Sequence, residues 1–231
     1  MDHYGTVESV EIQNVRILNE KFSKELEFFR HSFNLLAETI IDLSNKLYHT
    51  ENPHLLRDMV ILMVSSKLLL SSKALLNLSL NGYEYEARVL MRTMLEDFLR
   101  CECFFNDEET AHKWLQGTLS IEEVKCIVPN LSLNENFKWI YKTLSDYVHT
   151  NPPSLGSLIK VSDKSVYVKI SPNLPDSTED QAAIVVPLIG FNIISLEILR
   201  NAYEEKIETV IKKRISQLTE QILPYLKKFT A

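Results

Sequence analysis

The chain has 231 residues, 45% of them hydrophobic and 24% charged, so it is long enough to bury a substantial core. Only 5 glycines and 8 prolines are present, which argues against a loop-rich all-β fold and favours helices. The net charge of −6 excludes a protein-wide basic field of the kind that draws a chain onto nucleic acid.

The cysteine content and the first residues predict a reducing compartment. The chain has 3 cysteines, an odd number, and its first residues, MDHYGTVESV, do not resemble a signal peptide. The most apolar windows are residues 59–80, which contain Lys67 and Lys73, and residues 182–196, which contain Pro187 and Gly190. A membrane span needs about 20 apolar residues without central charges. We therefore expect a cytoplasmic protein with no membrane partner.

Residues 1–50 are predicted to form a long helical segment. Hydrophobic residues recur there at steps of three and four, which is the spacing of one helix face. They are Val15, Leu18, Phe22, Leu26, Phe29, Phe33, Leu36, Ile40, Leu43 and Leu47.

Residues 53–150 are predicted to form the core of the bundle. Asn52-Pro53 begins a largely apolar helix, and Asn81-Gly82 ends it. A further helix, a short helix capped by Asn106-Asp107, a weaker helix starting at Ser120 and a last helix follow. The predicted ranges are His54–Leu80, Tyr83–Phe105, 106–115, 120–129 and Asn134–His149.

The pattern changes after residue 150. Two short β-branched runs within residues 157–171 predict a small β-hairpin around Ser162-Asp163-Lys164-Ser165. Residues 177–229 predict two C-terminal helices, Glu179–Tyr203, bent or broken at Pro187, and Glu204–Lys228. The predicted fold is therefore all-α: a single domain over residues 1–231, built as an antiparallel helical bundle with one small hairpin.

Charged residues fall on the apolar side of the predicted helix Tyr83–Phe105. At 100° per residue, Arg88 lies inside the apolar arc and Arg92 at its edge, and Glu96 follows Arg92 at the i, i+4 spacing of an ion pair. A buried arginine must be paired. Two interpretations remain open: a structural ion pair that fixes helix docking, or an anion-binding arginine oriented by Glu96.

The stretch YKTLSDYVHTNPPSL, residues 141–155, places polar groups on one side of the helix that it ends. Lys142, Ser145 and His149 lie together opposite the apolar arc, so this face could present a cation, a hydroxyl and a general base. A histidine in the last turn is also favoured by the helix dipole alone. The same residues therefore also suit a solvated helix end, and the residues taken by themselves favour that interpretation.

The spacing of Lys142 and His149 resembles a known family signature. A basic residue followed after four to six residues by a helix-ending histidine is similar to the motif of HEPN (higher eukaryotes and prokaryotes nucleotide-binding) proteins, and Lys142-TLSDYV-His149 has six intervening residues. Members are helical bundles and often dimers. Many act as metal-independent ribonucleases in toxin–antitoxin and phage-defence systems, while others bind nucleotides or serve as scaffolds.

A second resemblance covers roughly residues 65–155. Asn81-Gly82 with Glu86-Ala87, then LMRTMLE and LSDYVH, are similar to an uncharacterised bacterial family grouped near HEPN proteins. The HEPN signature has arginine where this chain has Lys142 and usually Asn or Asp where it has Thr143. Lysine does not make the bidentate phosphate contact of arginine, so Arg92 is the candidate replacement.

Together the resemblances imply a bacterial stress or defence protein that is either a ribonuclease or a non-catalytic bundle binding a ligand or protein. In the ribonuclease, His149 would be the acid–base group, Lys142 and Arg92 would stabilise phosphate charge, Ser145 would assist positioning and Glu96 would orient Arg92. RNA or a nucleotide, a cognate antitoxin and a second copy of the chain would be its partners. We expect no cofactor or metal site, because Cys101 and Cys103 point apart on a helix and the Glu109-x-x-His112 pair has no second helical copy.

Overall fold

A computed structural model describes residues 3–48, 54–128, 138, 141–145, 159–162, 165–168 and 178–230. Almost all of these residues are helical. The helices are α1 (His3–Lys21), α2 (Ser23–Tyr48), α3 (Leu55–Asn81), α4 (Glu84–Asn106), α5 (Glu108–Leu115), α6 (Ile121–Ile127), α7 (Thr178–Ala202) and α8 (Thr209–Thr230), and residues 141–145 are also helical. The all-α prediction is therefore correct for the described part of the chain, which forms a helical bundle.

The N-terminal helical segment is interrupted at a single residue, Phe22. Phe22 N donates to Leu18 O at 2.8 Å, and Phe22 O accepts from Leu26 N at 2.9 Å, so hydrogen bonds of α-helical spacing continue across the interruption. The predicted apolar stripe faces the core: eight of its ten members are buried, and Phe33 packs against the core partly exposed. The periodicity of residues 1–50 thus identifies the buried face of both α1 and α2.

Helix α3 lies at the centre of the bundle and packs against α1, α2, α4, α5 and α7. Leu75, Ile61 and Val64 on this helix are completely buried. In the part of the chain that the structure describes, α3 alone is long and apolar enough to span a membrane, and neighbouring helices bury half of its most apolar window. The core helix of a water-soluble protein meets the same criterion of length and composition.

Helices α4, α5 and α6 follow one another through capped ends. Asp107 accepts a hydrogen bond from Glu109 N at 3.1 Å and so begins α5. Ser120 and Glu123 form a reciprocal capping box at the start of α6, in which Ser120 Oγ accepts from Glu123 N at 3.2 Å. These polar caps explain why the sequence pattern located both short helices.

The two C-terminal helices pack on the N-terminal half of the molecule. Asn192 Nδ2 on α7 donates to Ser32 Oγ on α2 at 3.1 Å, and both residues are buried. Helix α7 runs unbroken through Pro187. A turn at residues 203–208 separates α7 from α8, and buried Ile207 lies in it. The predicted junction directly between residues 203 and 204 is therefore wrong, and α8 starts at Thr209.

Two short strands, β1 (Ile159–Ser162) and β2 (Ser165–Val168), pair in antiparallel fashion. Ile159 lies opposite Val168 and Ser162 opposite Ser165. The other residues of the predicted hairpin range, 157–171, lie outside the described residues.

Candidate functional site

The ion pair predicted on α4 forms and is largely enclosed. Arg92 Nη1 donates to Glu96 Oε1 one helical turn later, as the i, i+4 spacing requires. The Arg92 side chain is only 11% exposed and that of Glu96 is 23% exposed. At this level of burial the guanidinium needs the carboxylate, because an unpaired charge would lose its hydration without compensation.

The helical residues 141–145 complete the surroundings of Arg92. Arg92 Nε donates to Ser145 Oγ at 2.9 Å, although the two residues are 53 positions apart. The guanidinium carbon lies 3.4 Å from the centre of the Tyr141 ring, which is a stacked cation–π contact. Tyr141 Oη in turn donates to Glu96 Oε1 at 3.2 Å. Arg92, Glu96, Tyr141 and Ser145 therefore form one connected group.

The phenol of Tyr141 is held in its neutral form. Burial raises the pKa of Tyr141, the positive charge of Arg92 opposes that rise, and the charge of Glu96 and the hydrogen bond to it add to it. A neutral phenol keeps its proton and can donate it to the carboxylate. The hydrogen bond from Tyr141 to Glu96 is thus maintained at neutral pH.

A second set of charges continues from Glu96 toward α3. Arg100 Nη2 lies 3.4 Å from Glu96 Oε2, and Arg100 Nη1 lies 2.9 Å from Asp97 Oδ1. Asp97 is 1% exposed, and Lys67 Nζ on α3 lies 2.6 Å from its second oxygen. Positive and negative groups therefore alternate from Lys67 through Asp97, Arg100 and Glu96 to Arg92.

The structure brings three of the five predicted site residues together, namely Arg92, Glu96 and Ser145. Lys142 is exposed on the short helical stretch that also carries Ser145. His149 lies outside the described residues, so its predicted place beside Ser145 remains a prediction from the sequence. Arg88, the other arginine of the apolar arc, is 22% exposed and pairs with Glu84 on the preceding turn, with Nη2 and Oε1 2.5 Å apart.

Sequence reasoning missed three members of this site. The helical projection puts Tyr141 in the apolar arc of its helix, which predicts a core residue, and Lys125 lies in the predicted helix at residues 120–129, where the sequence shows no site residue. Lys125 Nζ lies 4.2 Å from the centre of the Tyr141 ring. Asp97 could have been found, since on the helical projection it lies 20° from Leu90, at the edge of the apolar arc opposite to that of Arg92.

Other features of the described residues lie apart from this group. A groove of about 510 Å³ between α2 and α8 contains none of the candidate residues, and three of its lining residues are acidic: Glu38, Asp42 and Glu208. Among the described residues, no group of three or more His, Cys, Asp or Glu side chains is arranged to hold a metal ion. Cys101 and Cys103 are buried free thiols.

Comparisons with protein-family models, with curated proteins and with solved structures found no match for this chain.

Proposed function

We propose that this chain is a HEPN-like bacterial protein of a stress or defence system that cleaves RNA without a metal ion. The observation that carries the proposal is the pre-organised guanidinium of Arg92, which Tyr141, Glu96 and Ser145 hold in one orientation. An arginine fixed in this way suits the charge that develops on a phosphate in the transition state. The cytoplasm is its proposed location.

In the proposed reaction His149 transfers the proton, because histidine gains and loses a proton near neutral pH. His149 follows Ser145 by four residues in the sequence, which is the spacing of neighbours on one helix face. Arg92 and Lys142 stabilise the charge on the phosphate, Ser145 positions Arg92 and Glu96 orients it. The 2′-hydroxyl of the RNA attacks the adjacent phosphorus and loses its proton to a general base. The 5′-oxygen of the next nucleotide leaves and takes up a proton from a general acid. His149 carries out one of these two proton transfers.

The test is cleavage of RNA by the purified protein in EDTA. We expect His149→Ala to lower the cleavage rate about 100- to 10,000-fold, which is the usual contribution of an acid–base group, with unchanged helical content. His31→Ala is the matched control, because His31 is exposed on α2. Wild-type protein that is folded but leaves RNA intact, or equal rates for both variants, would contradict the proposal.

A specific observation also favours a second candidate, a non-catalytic bundle that binds a ligand or protein. Arg92 joins α4 to residues 141–145, so its contacts are those of a structural link between helices. In that case Arg92→Ala should destabilise the fold by about 3–5 kcal/mol, because the contacts with Tyr141 and Ser145 are lost and Glu96 keeps only Arg100 and Tyr141 as partners. An unchanged melting temperature for Arg92→Ala would exclude this structural role.

A homodimer and a cognate antitoxin are the proposed protein partners. Met59, Met63 and Leu70 are 48%, 53% and 68% exposed on one side of α3, which is an unusual concentration of apolar side chains on a surface. Sedimentation analysis of the purified chain tests the dimer. A monomer at all accessible concentrations would contradict it.

A further inference from the structure

Tyr141 has a positive charge on each face of its ring. The Arg92 guanidinium lies 3.4 Å from the ring centre and the Lys125 ammonium lies 4.2 Å from it. A guanidinium stacked at that distance fills one face, so an ammonium on the same face would collide with it. Lys125 therefore lies over the opposite face, and α6 contributes to a site otherwise built by α4 and residues 141–145.

Charged side chains of both signs surround Tyr141 among the residues that the structure describes. Four cations take part: Lys67, Arg92, Arg100 and Lys125. Three carboxylates oppose them, namely Glu96, Asp97 and Glu122, whose charge also acts on Tyr141. Arg92 and Lys125 both lie against the Tyr141 ring, and two cations so close together suit an anionic ligand.

Arg92 retains hydrogen-bond donors for such a ligand. Its Nε donates to Ser145 and its Nη1 to Glu96, and no described residue accepts a hydrogen bond from Nη2. A guanidinium has five N–H donors in a rigid plane, and the stack on Tyr141 fixes that plane. The two N–H groups of Nη2 therefore remain as donors to phosphate oxygens.

We infer that Lys125 is a second phosphate-binding cation of this site, and that Arg92 Nη2 and Lys125 Nζ contact the phosphate backbone of one single-stranded RNA. The two charges flank the same ring and lie less than about 8 Å apart, a span that one or two adjacent phosphates can bridge through contacts of about 2.8 Å. This inference rests on the proposed function for the identity of the ligand. Lys125 stabilises RNA binding, whereas proton transfer belongs to His149.

Binding can be measured without cleavage by using a short fluorescent RNA with 2′-O-methyl groups at every position, since the attacking hydroxyl is then blocked. Fluorescence anisotropy gives the Kd between 50 and 200 mM salt. We expect Lys125→Met to raise the Kd about tenfold at the lowest salt. It should also reduce the slope of log K against log salt by about 0.7, the value for one lost phosphate contact to a single strand.

Two further variants separate charge from packing. Lys125→Arg keeps the charge and should bind the probe as the wild type does. Lys113→Met on α5 removes one positive charge from a lysine that lies near Glu109 and Glu123, and should leave both the Kd and the salt slope unchanged. Circular dichroism of each variant verifies the fold, and recovery of binding in Lys125→Arg excludes a loss caused by unfolding of Lys125→Met.

The outcomes distinguish this inference from the proposed function. Equal Kd values and slopes for Lys125→Met and Lys113→Met, or no binding of the probe by wild-type protein, would overturn the role of Lys125. Cleavage of unmodified RNA that depends on His149 would still support the nuclease in that case. Conversely, probe binding that depends on Lys125, without any cleavage of RNA, would support the phosphate contact and overturn the nuclease.

Discussion

Asp58 is a buried carboxylate that stabilises the fold through a tyrosine distant in sequence. Its side chain is 1% exposed, and its Oδ1 accepts hydrogen bonds from Tyr203 Oη at 2.9 Å and from Arg57 Nη2 at 2.9 Å. A hydrogen bond to a charged acceptor in such surroundings contributes more than one at the surface. The bond therefore ties the end of α7 to the first turn of α3.

This hydrogen bond predicts how stability depends on pH. Burial, followed by the negative charge of Asp58, raises the pKa of Tyr203 above its usual value near 10. The folded state thus favours the protonated phenol. The contribution of Tyr203 to the free energy of unfolding is therefore complete below about pH 10 and is lost as the pH rises further. We expect the melting temperature of the wild type to fall above pH 10, and to fall less in Tyr203→Phe.

At pH 7, Tyr203→Phe should destabilise the protein by about 1–3 kcal/mol, because Asp58 loses a donor while it stays buried. Thermal melts between pH 7 and pH 11 measure both effects. Parallel curves for the two proteins would show that Tyr203 does not contribute to the pH dependence.

The three thiols are predicted to differ in reactivity. Burial raises the pKa of Cys101 to about 12 and also raises that of Cys103, whereas Cys126 is exposed on α6. Because the thiolate is the reactive form, we expect a disulfide reagent at pH 8 to modify Cys126 quickly, and Cys101 and Cys103 only after unfolding. The fast phase should disappear in Cys126→Ser, and its persistence there would contradict the assignment.

At the scale of elements, the end of α3 depends on the backbone of Gly82. This residue has φ 87°, in the left-handed region, and Tyr83 N donates back to Leu78 O at 2.9 Å. A Cβ is disfavoured in that conformation, so Gly82→Ala should cost about 1–2 kcal/mol of unfolding free energy. Gly82→Asn should cost less, since asparagine adopts the left-handed conformation more readily.

Urea unfolding monitored by circular dichroism measures these differences. Asn77→Ala is the matched control, because Asn77 is exposed within α3 and alanine favours a helix interior. Asn77→Ala should leave the free energy of unfolding unchanged or slightly raise it. A similar loss of unfolding free energy in Gly82→Ala and Asn77→Ala would show that the left-handed backbone conformation of Gly82 does not contribute to stability.

The elements that the sequence predicts well are those with local signals at both ends. Gly82 ends α3 and Asp107 caps α5, and the bounds of α3 and α4 differ from the predicted ones by one residue at each end. The turn at residues 203–208 has the sequence YEEKIE, without glycine or proline, so no local signal distinguishes it from helix. Its position depends on tertiary contacts such as the hydrogen bond of Tyr203 to Asp58.

The candidate site likewise has one part that local sequence signals predict and another part that depends on tertiary packing. The Arg92–Glu96 pair follows from i, i+4 spacing, which is a property of one helix. The contact of Arg92 with Ser145 joins residues 53 positions apart and depends on how two helices pack, which spacing alone does not determine. Lys125 was beyond prediction for the same reason, since its contact with Tyr141 needs α6 to be placed against that helix.

At the scale of the whole molecule, buried contacts join the two ends of the chain. Asn192 on α7 hydrogen-bonds Ser32 on α2 across 160 residues, and Leu196 on α7 is completely buried in the shared core. One core of this kind favours a single cooperative unfolding transition. A cavity made in α7 should therefore destabilise α4 and α5 by the same free energy.

Leu196→Ala tests this cooperativity. Removing a fully buried leucine side chain should lower the free energy of unfolding by about 2–5 kcal/mol through lost burial and the cavity left behind. The chain has 2 tryptophans, so in a Trp139→Phe background the fluorescence reports on Trp114 of α5, whose ring lies 6.0 Å from that of Phe104. We expect the urea midpoint from Trp114 fluorescence to shift as much as the midpoint from circular dichroism. Ile194 on the same helix is 46% exposed, so Ile194→Ala is the control and should shift both urea midpoints much less. A Trp114 transition that does not respond to Leu196→Ala would show that α7 unfolds independently of α5.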